Sequence, residues 1–138
     1  MITLITGKKG SGKTKKLVDM CNLATEQSKG NVVFVEKSSE LTYNVTHKAR
    51  LAVAEEYAIA DFDSLYGFLA GMCAGNYDIT DIFVDAVRKI GGQDMDGLER
   101  FIRRLDLLAH HNSINVVLSI SADKAELPAG IAQIATEI

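Results

Sequence analysis

Two rhythms of apolar residues alternate along this chain. Short, nearly unbroken apolar runs read as buried strands, and longer segments with apolar residues every three or four positions read as amphipathic helices. Ile2-Thr3-Leu4-Ile5-Thr6 predicts a first strand over residues 2–6. Leu17, Val18, Cys21, Ala24 and Thr25 then share one face of a helix running from about Lys13 to Gln27. Ser28-Lys29-Gly30-Asn31 closes that helix, with Gly30 as its left-handed cap. The second strand is Asn31-Val32-Val33-Phe34-Val35-Glu36. Its four consecutive apolar residues call for cover on both faces, as in a parallel sheet between helices.

Residues 37–60 carry a weaker rhythm. Leu41–Val45 and Arg50–Ala54 are expected as two short strands of a peripheral hairpin turning at Thr46–Ala49, with a short helix as the alternative. Asp61 or Asp63 caps a helix near 62–74, whose stripe is Leu65, Phe68, Leu69, Met72 and Cys73. A third strand spans Ile79–Asp85, and a loop follows around Gly91-Gly92-Gln93. Asp94 or Asp96 caps a helix near 95–112, built on Leu98, Phe101, Ile102, Leu105, Leu108 and Ala109. Residues 114–121 form the fourth strand, and Pro128 suits the first turn of a last helix over 128–137. Alternating strands and helices predict one three-layer α/β domain over residues 1–138 around a mostly parallel sheet, with a small hairpin insertion near 41–54.

Composition narrows the picture. At 138 residues, 47% hydrophobic and 24% charged, the chain suits one soluble domain with a sizeable core. A net charge of -3 gives no sign of a nucleic-acid partner. No apolar run is long enough to span a bilayer, and Met1 leads straight into a strand without a signal segment. Cys21 and Cys73 fall in helical segments outside any C-x-x-C pair and read as buried, reduced and structural. Together with His47, His110 and His111 they supply no recognisable zinc set. A cytoplasmic protein is expected.

The chemistry concentrates at Gly7-Lys8-Lys9-Gly10-Ser11-Gly12-Lys13-Thr14, which fits G-x-x-x-x-G-K-[ST] at every fixed position. It lies between a strand and a helix, the context a phosphate-binding loop needs. Glycines let the backbone turn its N–H groups inward around a phosphate, and the helix that follows adds its positive end. Lys13 is expected on the β- and γ-phosphate oxygens and Thr14 on Mg²⁺. Asp85 ends the third strand at the carboxyl edge, where ligands bind in such sheets, and is expected as the second Mg²⁺ anchor. Asp81, four residues earlier, shares its face but not that edge.

On Gly7–Thr14, on Ile82-Phe83-Val84-Asp85 and on the further strand between these motifs, the chain resembles the P-loop NTPase superfamily, more narrowly its RecA-like branch. The likeness extends to small stand-alone ATP-binding proteins sometimes likened to twitching-motility ATPases, although nothing beyond the nucleotide motifs supports a motility role. The resemblance implies a RecA-like strand order with ATP and Mg²⁺ as cofactors. It also implies a catalytic base: Glu36, closing the strand after the loop helix, would orient and deprotonate the attacking water. Many relatives place the base directly after the metal-binding Asp, but here Ala86 follows Asp85. Ser119 or Ser121 would stand where relatives carry a polar γ-phosphate sensor.

Three functions follow as expectations. The first is a Mg²⁺-dependent ATPase or ATP switch, slow or stimulated by a partner. The second is a small-molecule kinase of nucleoside or nucleotide type, given some likeness to thymidine kinases without their zinc lasso; Arg50, Arg88 and Lys89 are its candidate phosphate clamps. The third is a nucleotide-gated interaction subunit in a homo-oligomer or with a protein partner. In that case Arg100, Arg103 or Arg104 would complete a neighbour's site. A GTPase is disfavoured, because Ser121-Ala122-Asp123-Lys124 does not supply N-K-x-D.

Overall fold

The structure is a computed structural model describing residues 1–40 and 44–138. Its strands are β1 (Ile2–Gly7), β2 (Asn31–Glu36), β3 (Arg50–Val53), β4 (Ile79–Asp85), β5 (Asn115–Ser121) and β6 (Ala135–Glu137). Its helices are α1 (Lys13–Gln27), α2 (Phe62–Gly75), α3 (Val87–Gly91) and α4 (Met95–Asn112). The strands form one six-stranded sheet in the order β3-β2-β4-β5-β1-β6, and every pairing is parallel. Thus β5 lies between β1 and β4.

Strand alternation sorts the core into two halves. Ile2, Leu4, Val33, Val35, Ile82, Val84, Val116, Leu118 and Ile120 point to one face, beneath Leu65 and Leu69 of α2 and Leu98, Phe101, Ile102 and Leu105 of α4. Ile5, Val32, Phe34, Phe83 and Val117 point to the other, beneath Leu17, Val18 and Cys21 of α1. Both cysteines are free and buried, in keeping with their expected structural role. Asp61 caps α2, its Oδ1 accepting from the Ser64 N–H at 2.7 Å, and Asp94 caps α4, accepting from the Asp96 N–H at 3.1 Å.

Three expectations are corrected. Arg50–Val53 is not one arm of a hairpin; it lies parallel along the outer edge of β2, from Val33↔Arg50 to Glu36↔Val53. Of the other expected arm, residues 41–43 fall outside the described residues. The stretch that follows is tied to α1: the Asn22 side-chain amide donates to the Asn44 carbonyl at 3.0 Å and accepts from the Thr46 N–H at 2.9 Å. Val45 is buried beneath the same helix.

No α-helix spans 128–137 either. Pro128 is extended (φ -54, ψ 137), a short 3-10 stretch covers Ala129–Gln133, and Ala135–Glu137 adds to the edge of β1. Full burial of Ile131 and the bond from the Ile138 N–H to the Leu4 carbonyl at 2.9 Å hold this course. Gly30 is no left-handed cap, since it is absent from the positive-φ glycines Gly7, Gly10, Gly12 and Gly92. A Cβ at Gly30 would collide with the Asp78 carbonyl oxygen, so close approach to the β4 connection accounts for it.

Candidate functional site

The glycine-rich loop leaves the carboxyl end of β1 and runs into α1. Its first residue is pinned, the Gly7 N–H donating to the Ala122 carbonyl at 3.0 Å. Gly7 has φ 147, and a Cβ there would stand 2.5 Å from Ser11 Oγ. Gly12, with φ 87, stands immediately before α1. It offers no side chain to cap the helix, and no acidic residue lies in the first turn. The leading N–H groups therefore meet no capping side chain and sit at the helix's positive pole.

Lys13 folds back into this loop. Its ammonium donates to the Lys8 carbonyl at 2.8 Å and lies 3.4 Å from Ser11 Oγ. The residue is buried. Burial pushes its pKa down, Asp85 opposes that shift, and Lys89 adds to it. Lys8 thus enters through its backbone, whereas Lys9 and Gly10 line the cleft above the loop.

Asp85 closes β4 on the α1 face, two positions beyond Phe83. Thr14, from the first turn of α1, donates to its carboxylate, with Oγ1 3.1 Å from Oδ2 and 3.2 Å from Oδ1. Ser119 reaches the same carboxylate from β5, its Oγ lying 2.5 Å from Oδ1. A hydroxyl has one proton to give, and this contact is far shorter than the 3.4 Å to the Val84 carbonyl. Thr14 and Ser119 therefore orient Asp85 from either side. Asp81 shares the face but is held by Thr80 Oγ1 at 2.7 Å, away from this edge.

Glu36 ends β2 directly opposite Asp85 in the parallel register. It is buried, and Oε1 accepts from the Glu40 N–H at 2.9 Å. Two clefts meet here. One, about 350 Å³, is lined by Lys9, Gly10, Gly12, Lys13 and Ser121. The other, about 310 Å³, is lined by Glu36, Lys37, Ser38, Glu40 and Glu55. Both include Thr14, Asp85, Ala86 and Lys89. The expected residues from the loop, β2 and β4 are thus brought to one edge of one face.

Sequence reasoning missed the parts played by three residues. Ser119 had been weighed only as a phosphate sensor, yet it is a partner of Asp85. Glu40 and Glu55 were not considered at all. The signal for Glu40 was the polar run Lys37-Ser38-Ser39-Glu40 directly after an apolar strand. Arg100, Arg103 and Arg104 do not join this site; on α4 they meet Asp94, Glu99 and Asp63, and Arg104 also lies over the Tyr66 ring.

Among the described residues no three of His, Cys, Asp and Glu converge on a metal position. The Thr14 hydroxyl and the Asp85 carboxylate are nevertheless hard oxygen donors already in contact. That pair fits Mg²⁺, which takes few protein ligands and completes its shell with water and phosphate oxygens. No helix among the described residues is long and apolar enough to cross a membrane. No family model and no curated protein matches the chain.

Proposed function

We propose that this chain is a Mg²⁺-dependent ATP-binding protein of the P-loop NTPase type, acting as a slow or partner-stimulated ATPase. One observation carries the reading: Thr14 of the glycine-rich loop bonds the Asp85 carboxylate across 71 residues of chain. That contact joins the two halves of a phosphate and Mg²⁺ site. The position of β5 between the strands bearing them agrees with a RecA-like order.

The loop's N–H groups and the start of α1 would cradle the β-phosphate. The Lys13 ammonium, now satisfied by a carbonyl, would exchange that partner for β- and γ-phosphate oxygens, a charge-assisted contact. Thr14 and Asp85 would hold Mg²⁺, and Ser119 would keep the Asp85 carboxylate turned towards it. When bound, the ion neutralises charge that builds on the β,γ-bridging and terminal oxygens. Glu36, in register beside Asp85, would accept a proton from a water whose oxygen bonds to the γ-phosphorus as the bond to the β-phosphate oxygen breaks.

The test is Mg²⁺-ATP binding and turnover beside two variants. Lys13→Ala is expected to abolish binding. Glu36→Gln is expected to keep binding and lower turnover by about 10²-fold or more. Full-strength binding by Lys13→Ala would overturn the reading. A second reading, phosphoryl transfer to a small molecule, draws on the 310 Å³ cleft at Glu36, which exceeds the room one water needs. Formation of a phosphorylated acceptor in place of free phosphate would decide for it.

A further inference from the structure

Three cations were expected near a bound phosphate, and the structure separates them. Arg50 sits on the edge strand β3, its guanidinium donating to the Tyr57 hydroxyl at 3.1 Å. It lines a different cleft with Asn31 and Ile79, at the opposite end of the strands. Arg88 turns inward, donating to the Ser121 carbonyl at 3.1 Å, and its Nε is buried. Of these three, only Lys89 lines the loop cleft, beside Lys9 and Lys13, and it lines the Glu36 cleft as well. It is exposed and makes no ion pair among the described residues. It rides on α3, which begins two residues after Asp85, so the proposed Mg²⁺ anchor and this cation are near neighbours in the chain.

We propose that Lys89 reads the γ-phosphate in cis. It stands where the loop cleft and the Glu36 cleft meet, distinguishes a nucleoside triphosphate from a diphosphate, and supplies from the same chain the positive charge that many such sites take from a neighbouring subunit. The proposal rests on the ATP-binding reading above and adds a residue to it. Three points favour it. Lys13 and Lys89 both line the loop cleft, so a polyanion held there meets two cations of one chain. The shared border of the two clefts is where a terminal phosphate would face an acceptor held by Glu36. The α4 arginines, the candidates for donation in trans, are engaged elsewhere on their own chain.

The experiment compares the affinities of Mg²⁺-ADP and of a non-hydrolysable Mg²⁺-ATP analogue with an imido β,γ-bridge, for the wild type, Lys89→Ala and Lys89→Arg. Lys89→Ala is expected to weaken the triphosphate analogue by about 10- to 100-fold, the range for one lost charged contact. Its ADP affinity is expected to stay within about twofold, because an ADP complex has no γ-phosphate to lose. Lys89→Arg is expected to restore most of the discrimination, which a packing role for the lysine stem would not require. Specific activity independent of protein concentration would accompany a cis-acting cation. Equal losses for both nucleotides, or none, would overturn the assignment of Lys89 while leaving ATP binding intact. Failure of the wild type to bind either nucleotide would remove the parent reading and this one together.

Discussion

The two faces of the sheet are built from the same strands and differ in one respect. On the α2 and α4 face, β2, β4 and β5 contribute Val33, Val35, Ile82, Val84, Val116, Leu118 and Ile120, all apolar and all buried. On the α1 face the same strands give Val32, Phe34, Phe83 and Val117 to the core, with Asp81 held aside by Thr80, until their carboxyl ends, where Glu36, Asp85, Ser119 and Ser121 take over. Drawing a carboxylate out of water is costly unless it finds partners, and both find them: Glu40 N–H bonds the buried Glu36, and Thr14 and Ser119 bond the part-buried Asp85. Adjacent residues of one strand thus serve opposite ends, one holding the fold and the next orienting the chemistry. The polar end of a face can be tolerated because the apolar remainder anchors it.

Leu118 and Ser119 test that contrast within one step of chain. Leu118 is fully buried, and Leu118→Ala is expected to cost about 2–5 kcal/mol in denaturant unfolding, with nucleotide affinity at saturation of folded protein unchanged. Ser119→Ala is expected to cost only about 0.5–1.5 kcal/mol, since Thr14 still donates to Asp85, but to raise the Mg²⁺ concentration needed for nucleotide binding. Matching stability losses, or an unchanged Mg²⁺ requirement for Ser119→Ala, would dissolve the distinction between faces.

The smallest effect concerns Lys13. Its pKa is held down by burial, so at pH 7 the fold carries a charged group it disfavours. The unfolded chain binds that proton more tightly, and stability contributed by this group therefore rises with pH through the depressed folded pKa up to the ordinary lysine value. Lys13→Met is expected to be slightly more stable than the wild type at pH 7. The gap should narrow as the pH enters the lysine range, as checked by thermal melts across that range. A gap that widened with pH would contradict the burial seen here.

Much of this fold was legible wherever one rhythm dominated. The limits of α1 follow from Leu17, Val18 and Cys21, and those of α4 from Leu98 through Ala109, because a continuous stripe has only one way to face the core. The site was legible for a related reason: its residues end strands or start a helix. What escaped is set by tertiary contacts. Nothing local distinguishes an arm of a hairpin from a parallel edge strand at Arg50–Val53; the choice is made by the open edge of β2 and by the bonds between Asn22 and residues 44 and 46. The three residues of β6 carry no period of their own and take their form from β1. Helix α3 is five residues long, shorter than a sequence stripe can signal.

The neighbours of β1 have a consequence in time. Its two partners are β5 and β6, with Ile2 pairing both Val116 and Ala135. Strand β1 therefore waits for segments made more than 100 residues later before it has a strand partner, a long loop closure that slows folding. The glycine loop hangs from that strand, and Gly7 is fastened by its register with Ser121 of β5 and its bond to the Ala122 carbonyl. A nascent chain halted before residue 115 would carry the whole glycine loop without the strand pairing that places it, so presenting the loop depends on residues made long after it.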